Sequence, residues 1–260
     1  MSAMSTSIRI PQLVRILLII AFSALLYNYL TDSNATNPRK GRNLRRPKFT
    51  RKPTKNTDMA SSYLKAIASR RTIYQLSKES TIPNSRIQEI LAETIKHSPS
   101  SFNNQAQRAV LLLGAEHDKV WDIADETVKN KLGEQAYAGL APKIAGYKAG
   151  YGTILFFDDA ETMKSFQEKN PQMPFEQWNT HSQGMLQIHT WDALELEGLG
   201  ANLQHYNFLP GFQQQVKETW KLPESWDLHA QMVFGKPTGQ PYPKSFDQVE
   251  GKRLLTFGDN

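Results

Sequence analysis

Residues 1–57 carry eleven Lys/Arg and one acid, Asp32, whereas residues 58–260 carry the other twenty Lys/Arg and twenty-four acids. This split confines a folded domain to the second segment. Residues 38–55 hold nine Lys/Arg, three prolines and no acid, with almost no aliphatic side chain. Such a stretch cannot bury enough apolar surface to offset the entropy of ordering it. The net charge of +6 is therefore the difference between a head of about +10 and a body of about −4. An acidic body repels a phosphate backbone, so the basic head implies no specific nucleic-acid partner.

The head divides into two pieces. Residues 1–31 have Arg9 and Arg15 as their only charges, and residues 16–30 are nearly all apolar. That run is at the short end for a membrane span. Three readings stay open: a secretory signal, an acid-poor mitochondrial presequence, and a signal anchor with interfacial Tyr27 and Tyr29. The favoured one is mitochondrial targeting or membrane anchoring, with a cytoplasmic-facing body as the alternative. Residues 32–57 read as a disordered basic linker, a solvated spacer or a stretch lying on anionic lipid.

Residues 58–260 read as one domain of helices interrupted by a few strands. Helical spacing covers 59–70, 80–97, 117–132, 133–147, 160–169, a long pattern over 175–204, and 212–220. Ser80 or Thr81 is the expected cap of the second of these, with Pro83 in its first turn. Short β-type runs occupy 108–113, 151–157 and 228–234, with a strand-like or loop segment at 202–207. Helices dominate and the strands are not in regular βαβ order, so the expected class is α+β, a small mainly antiparallel sheet flanked by helices.

The chemistry is concentrated in residues 98–105, Ser-Pro-Ser-Ser-Phe-Asn-Asn-Gln, between a helical and a strand pattern. Its hydroxyls and amides donate and accept at several heights along a flat polar ligand. Read alone, it is equally an ordinary polar turn. Upstream stands Arg70-Arg71-Thr72, whose forked donors suit a phosphate. Downstream, Lys236 and Lys244 restore positive charge. With no cysteine in the chain, a cysteine nucleophile, a thiolate zinc site and an iron–sulfur cluster are excluded. No Gly-x-Gly-x-x-Gly, Walker loop or histidine metal spacing occurs, and no metal is expected.

An arginine pair, a Ser/Asn/Gln loop and a late lysine, in that order, resemble the nitroreductase family of flavin enzymes. The loop matches at Ser98, Pro99, Ser100, Ser101, Asn103 and Gln105. The usual Pro-Trp after the glutamine is Ala106-Gln107 here, as in the fatty-acid-response branch of the family. The stretch 198–207 and the Met-Val-Phe-Gly-Lys-Pro ending at Pro237 also look like that branch.

The resemblance, over roughly residues 58–250, implies a nitroreductase-like fold that binds FMN between the subunits of a homodimer, with a long central helix at the interface. It assigns Arg70 with Lys244 to the cofactor's phosphate, and Ser100, Ser101, Asn103 and Gln105 to its ribityl chain and ring edge, with Arg71, Thr72 and Ser98 as further cofactor-binding residues of the same motifs. Gln204 and His205 are expected to approach the ring. The arginine that often follows the late lysine is Phe246 here, which puts more weight on Arg70. The implied reaction is ping-pong reduction of a small-molecule electron acceptor, a nitroaromatic or quinone, by NADH or NADPH, in an oxidative-stress or lipid response. The rival readings are a non-enzymatic flavin-binding regulator and a membrane-tethered interaction protein.

Overall fold

The computed structural model of the protein describes residues 55–258. The targeting segment and nearly all of the basic linker expected from the sequence lie outside these residues. No helix among the described residues is long and apolar enough to cross a membrane.

Five strands form one antiparallel sheet: β1 (Leu76–Ser77), β2 (Gln107–Leu113), β3 (Gly152–Asp159), β4 (Gly200–Gln204) and β5 (Trp226–Pro237). The order runs β1-β5-β3-β2, and β4 also pairs with β5. Among the described residues seven helices surround it: α1 (Lys55–Ser69), α2 (Asn84–His97), α3 (Ala115–Leu132), α4 (Glu134–Lys148), α5 (Ala160–Lys169), α6 (Phe175–Leu196) and α7 (Phe212–Trp220). The α+β expectation therefore holds.

Strand periodicity explains the two cores. Along β3, Ile154 and Phe156 point into a cluster with Ile87, Leu91, Leu186 and Leu194 of α2 and α6. The alternate residues Leu155 and Phe157 point into a cluster with Val120, Trp121 and Val216 of α3 and α7. A strand covered on both faces reads as a continuous apolar run, as residues 154–157 do. A bulge falls where Phe156 faces Ala230 and Phe157 faces Leu228, leaving His229 unpaired in the ladder.

Two sequence expectations are corrected. The second helix starts at Asn84, with Pro83 as its uncapped N-terminal neighbour. Ser80 instead bonds Ile82, and Thr81 Oγ1 donates to Glu197 O at 2.7 Å. The long pattern over 175–204 is helical only to Leu196. There Leu199 N donates to Leu194 O and Gly198 N to Glu195 O, with Gly198 at φ 81°. This pair of bonds is the Schellman stop, which needs a residue free to take positive φ. The chain then runs on as β4. The apolar stripe of α1 lies on the surface: Met59, Tyr63, Leu64 and Ile67 are exposed, and Ala66 is the one buried residue among those of α1 whose burial is described.

Candidate functional site

The arginine element and β4 are brought together at one corner of the sheet. Thr72 bridges Ala201, Ile73 N donates to Ala201 O at 2.9 Å, and Asn202 Nδ2 donates to Ile73 O at 2.9 Å. Arg70 lies at the end of α1 with its guanidinium 4.6 Å from the centre of the Trp191 ring. Its Nε is 3.4 Å from Asp192 Oδ1, an ion pair that makes no hydrogen bond. Arg70 Nε, Trp191 Nε1 and Asp192 Oδ1 are all buried without a hydrogen-bond partner. Burial pushes the Asp192 carboxyl above the usual carboxylate range, and Arg70 only partly opposes it. Arg70 Nε and the two atoms beside it thus leave polar bonding capacity unfilled at one buried spot.

Arg71 turns the other way and donates from Nη2 to Tyr242 O at 2.5 Å. The Tyr242 ring packs on Tyr74 at 5.9 Å. The C-terminal arm thus reaches the arginine element through Tyr242. Lys244, two residues on, is exposed, with its Nζ 5.0 Å over the Phe246 ring. Gln204 donates to Asn202 Oδ1 at 2.9 Å, and the His205 side chain is exposed at the end of β4.

The Ser/Asn loop occupies another corner and is conformationally strained. Among the described residues only four other than glycine have positive φ, and three of them are Phe102 (56°), Asn103 (53°) and Gln105 (51°). Each such residue costs about 1–3 kcal/mol and persists only where surroundings over-determine it. Ser98 Oγ is 2.9 Å from His189 Nδ1 of α6. Ser100 Oγ accepts from Gln105 N at 3.0 Å. Asn104, which the sequence reading passed over, is the buried anchor: its Nδ2 donates to Asn179 Oδ1 at 2.8 Å and its Oδ1 accepts from Ala106 N. With these groups engaged, the Ser101 hydroxyl and the Asn103 side-chain amide make no protein hydrogen bond among the described residues. The Gln105 side-chain amide makes only a long one among the described residues, 3.5 Å from Nε2 to Asn103 O. Ser98 and Ser100 are engaged in holding the loop, while the Ser101, Asn103 and Gln105 side chains keep most of their bonding capacity.

These two groups do not meet within one chain. The loop enters β2 opposite the end of β3, at the level of Asp227 on β5, while Ala201 sits opposite Phe234. Seven residues along β5 amount to about 23 Å, and the three spacings from β2 to β4 to about 14 Å. Helix α6 spans the same gap. Its Phe175, Trp178 and Asn179 touch the loop, and Trp191 and Asp192 face Arg70, about 20 Å further along the helix. Asp192 was missed from the sequence, whereas Trp178 and Trp191 form a helical tryptophan stripe that reads first as core and second as the wall of a flavin or substrate cavity.

Comparison with known proteins agrees with this architecture. Residues 67–236 match the model of the Nitroreductase family. The nitroreductase FRM2 of Saccharomyces cerevisiae is 35% identical over 191 residues, covering 71% of this chain and 93% of that protein. The nitroreductase CinD from Lactococcus lactis, solved with chloramphenicol, superposes with a TM-score of 0.67 at 35% identity, over 75% of this chain and all of CinD. CinD has also been solved with 4-nitrophenol, with a TM-score of 0.66. A Desulfovibrio desulfuricans protein solved with FMN shares the fold at 19% identity, with a TM-score of 0.54 over 75% of this chain and 95% of that one.

Proposed function

The chain belongs to the nitroreductase family of oxidoreductases, and from that premise we propose an FMN-dependent homodimer that reduces nitroaromatic or quinone acceptors with NADH or NADPH. One observation carries the reading: the two halves of the candidate site lie at opposite corners of the sheet in a single protomer. A second copy, packed antiparallel along α6, sets the loop of one chain beside the arginine element of the other. The exposed face of α6 suits such packing. It presents Gln177, His181, Gly184 and Ile188 at helical spacing, and no atom lies within 4 Å of where a Gly184 side chain would begin. Exposed apolar residues on α1 and on the C-terminal arm, among them Met59, Leu64, Phe246 and Phe257, are further surface for a partner copy to cover.

FMN, when bound, supplies a two-electron carrier. The chain supplies position and charge. Arg70, with Lys244 from the arm, suits a phosphate, because a guanidinium on an aromatic face stays charged and presents fixed donors. The free Ser101 hydroxyl and the Asn103 and Gln105 amides suit the ribityl hydroxyls and a ring edge. Donor and acceptor using one site in turn gives ping-pong kinetics.

The test is the visible spectrum of the purified chain, with the cofactor identified after heat release and counted per protomer. The expected result is one FMN per chain, and parallel double-reciprocal lines in turnover with a nicotinamide and a quinone. A protein that stays colourless in added FMN would falsify this reading. Arg70→Ala with Lys244→Ala is expected to release the flavin at an unchanged fold by circular dichroism; full retention would remove the phosphate assignment.

A further inference from the structure

The tip of the Ser/Asn loop carries a group that cofactor binding leaves unused. Phe102 stands between Ser101 and Asn103, and its side chain is 59% exposed. Its ring stacks on Trp178, 6.2 Å between centres at an interplanar angle of 17°, and tilts against Phe175 at 5.5 Å. Phe175 is buried and backed by Phe166 at 5.9 Å. The backbone of Phe102 sits at φ 56° and ψ 22°, a region unfavourable to a bulky residue. A ring this exposed recovers little from burial, so core packing does not account for its placement. The bonds of Ser100 and Asn104 hold the loop so that the ring is presented outward on a flat aromatic base.

We propose that Phe102 and Trp178 form an aromatic shelf that stacks a flat electron acceptor beside the flavin-holding residues, which makes Phe102 a specificity-determining residue. This rests on the flavin reading above. The chemistry favours electron-poor planar rings, nitroaromatics and quinones, because offset stacking on an electron-rich indole or phenyl face is attractive at ring separations of 4.5–7 Å. A compact anionic oxidant such as ferricyanide gains nothing from the shelf.

The discriminating variants are Phe102→Gly, which removes the ring and suits positive φ, and Phe102→Tyr, which restores a ring. Each is prepared as the full-length, FMN-loaded chain. Binding of 4-nitrophenol is measured by calorimetry with no electron donor present, so that nothing turns over. The KM for a quinone is then compared with that for ferricyanide. Phe102→Gly is expected to weaken 4-nitrophenol binding and to raise the quinone KM relative to the ferricyanide KM, each by about three- to tenfold, with Phe102→Tyr close to wild type. Unchanged binding and an unchanged KM ratio in a yellow Phe102→Gly protein would overturn the shelf alone. Loss of the dimer in Phe102→Gly, with affinity restored by raising the protein concentration, would reassign the ring to the subunit contact and also overturn it. A colourless wild type fails at the earlier step, in the flavin reading itself.

Discussion

His117 is buried on the α3 face of the sheet with both ring nitrogens engaged. Nε2 lies 3.2 Å from Lys148 O, so it carries the hydrogen and donates. Nδ1 then accepts from Thr153 Oγ1 at 2.8 Å, and that oxygen accepts from Trp121 Nε1 at 2.9 Å. This network satisfies the neutral ring, and burial, the largest influence, holds the His117 pKa below its ordinary 6.5. A depressed histidine gives stability that is fully present above the ordinary value and is lost as pH falls from there through the folded value. The urea midpoint of the wild type is therefore expected to drop between pH 7 and pH 5 more steeply than that of His117→Gln. Parallel slopes would clear His117 of the role. None of this was legible in the sequence, where His117 is one more helical residue. The Ser/Asn loop was legible as chemistry, because Ser, Asn and Gln side chains crowded into eight residues are unusual before an apolar run. The division of labour within it was not. Asn103 and Asn104 are identical in kind, and only the positive φ at 103 sends one amide outward and the other to Asn179.

Helix α6 joins both ends of the candidate site, and its boundaries show how elements are read and misread. The apolar pattern over 175–204 continues through the helix end because β4 is also buried, and burial alone does not distinguish a helix from a strand in a short run. The stop is set by Gly198 and the two capping bonds around it. The stripe on α1 is a different case: its period is helical as read, but the face it defines has no cover among the described residues. At this scale the subunit contact is testable through Gly184. A side chain there would begin in open space on its own protomer, yet near the axis of a paired α6 an arginine would meet its own copy, and like charges brought together cost several kcal/mol. Gly184→Arg is expected to run as a monomer by light scattering and to lose its flavin in the same preparation. A yellow monomer would show that one chain suffices for the cofactor; a yellow dimer would place the contact elsewhere.

For the whole molecule, the sheet and its two cores close without the C-terminal arm. Phe246, Leu254, Leu255 and Phe257 are exposed, Phe257 by 89%, while β5 ends at Pro237. Truncation after Lys244 keeps the Tyr242 contact with Arg71 and removes only residues that bury no core. The expected outcome is an unchanged far-UV spectrum with a dimer dissociation constant raised about tenfold or more, or about 1.4 kcal/mol, as measured by sedimentation. Collapse of the fold would mean the arm stabilises its own protomer. The sequence by itself determined the α+β class, the positions of most elements and the residue types of the candidate site, because periodicity, turn chemistry and side-chain functionality are local properties. The tertiary structure alone decided that Arg70 stacks on Trp191 beside a buried Asp192, that Asn104 rather than Asn103 anchors the loop, and that the two half-sites lie at opposite corners of the sheet. Those outcomes depend on strand order, on register and on which buried polar atoms find partners, and all of these are set by contacts between residues far apart in the chain.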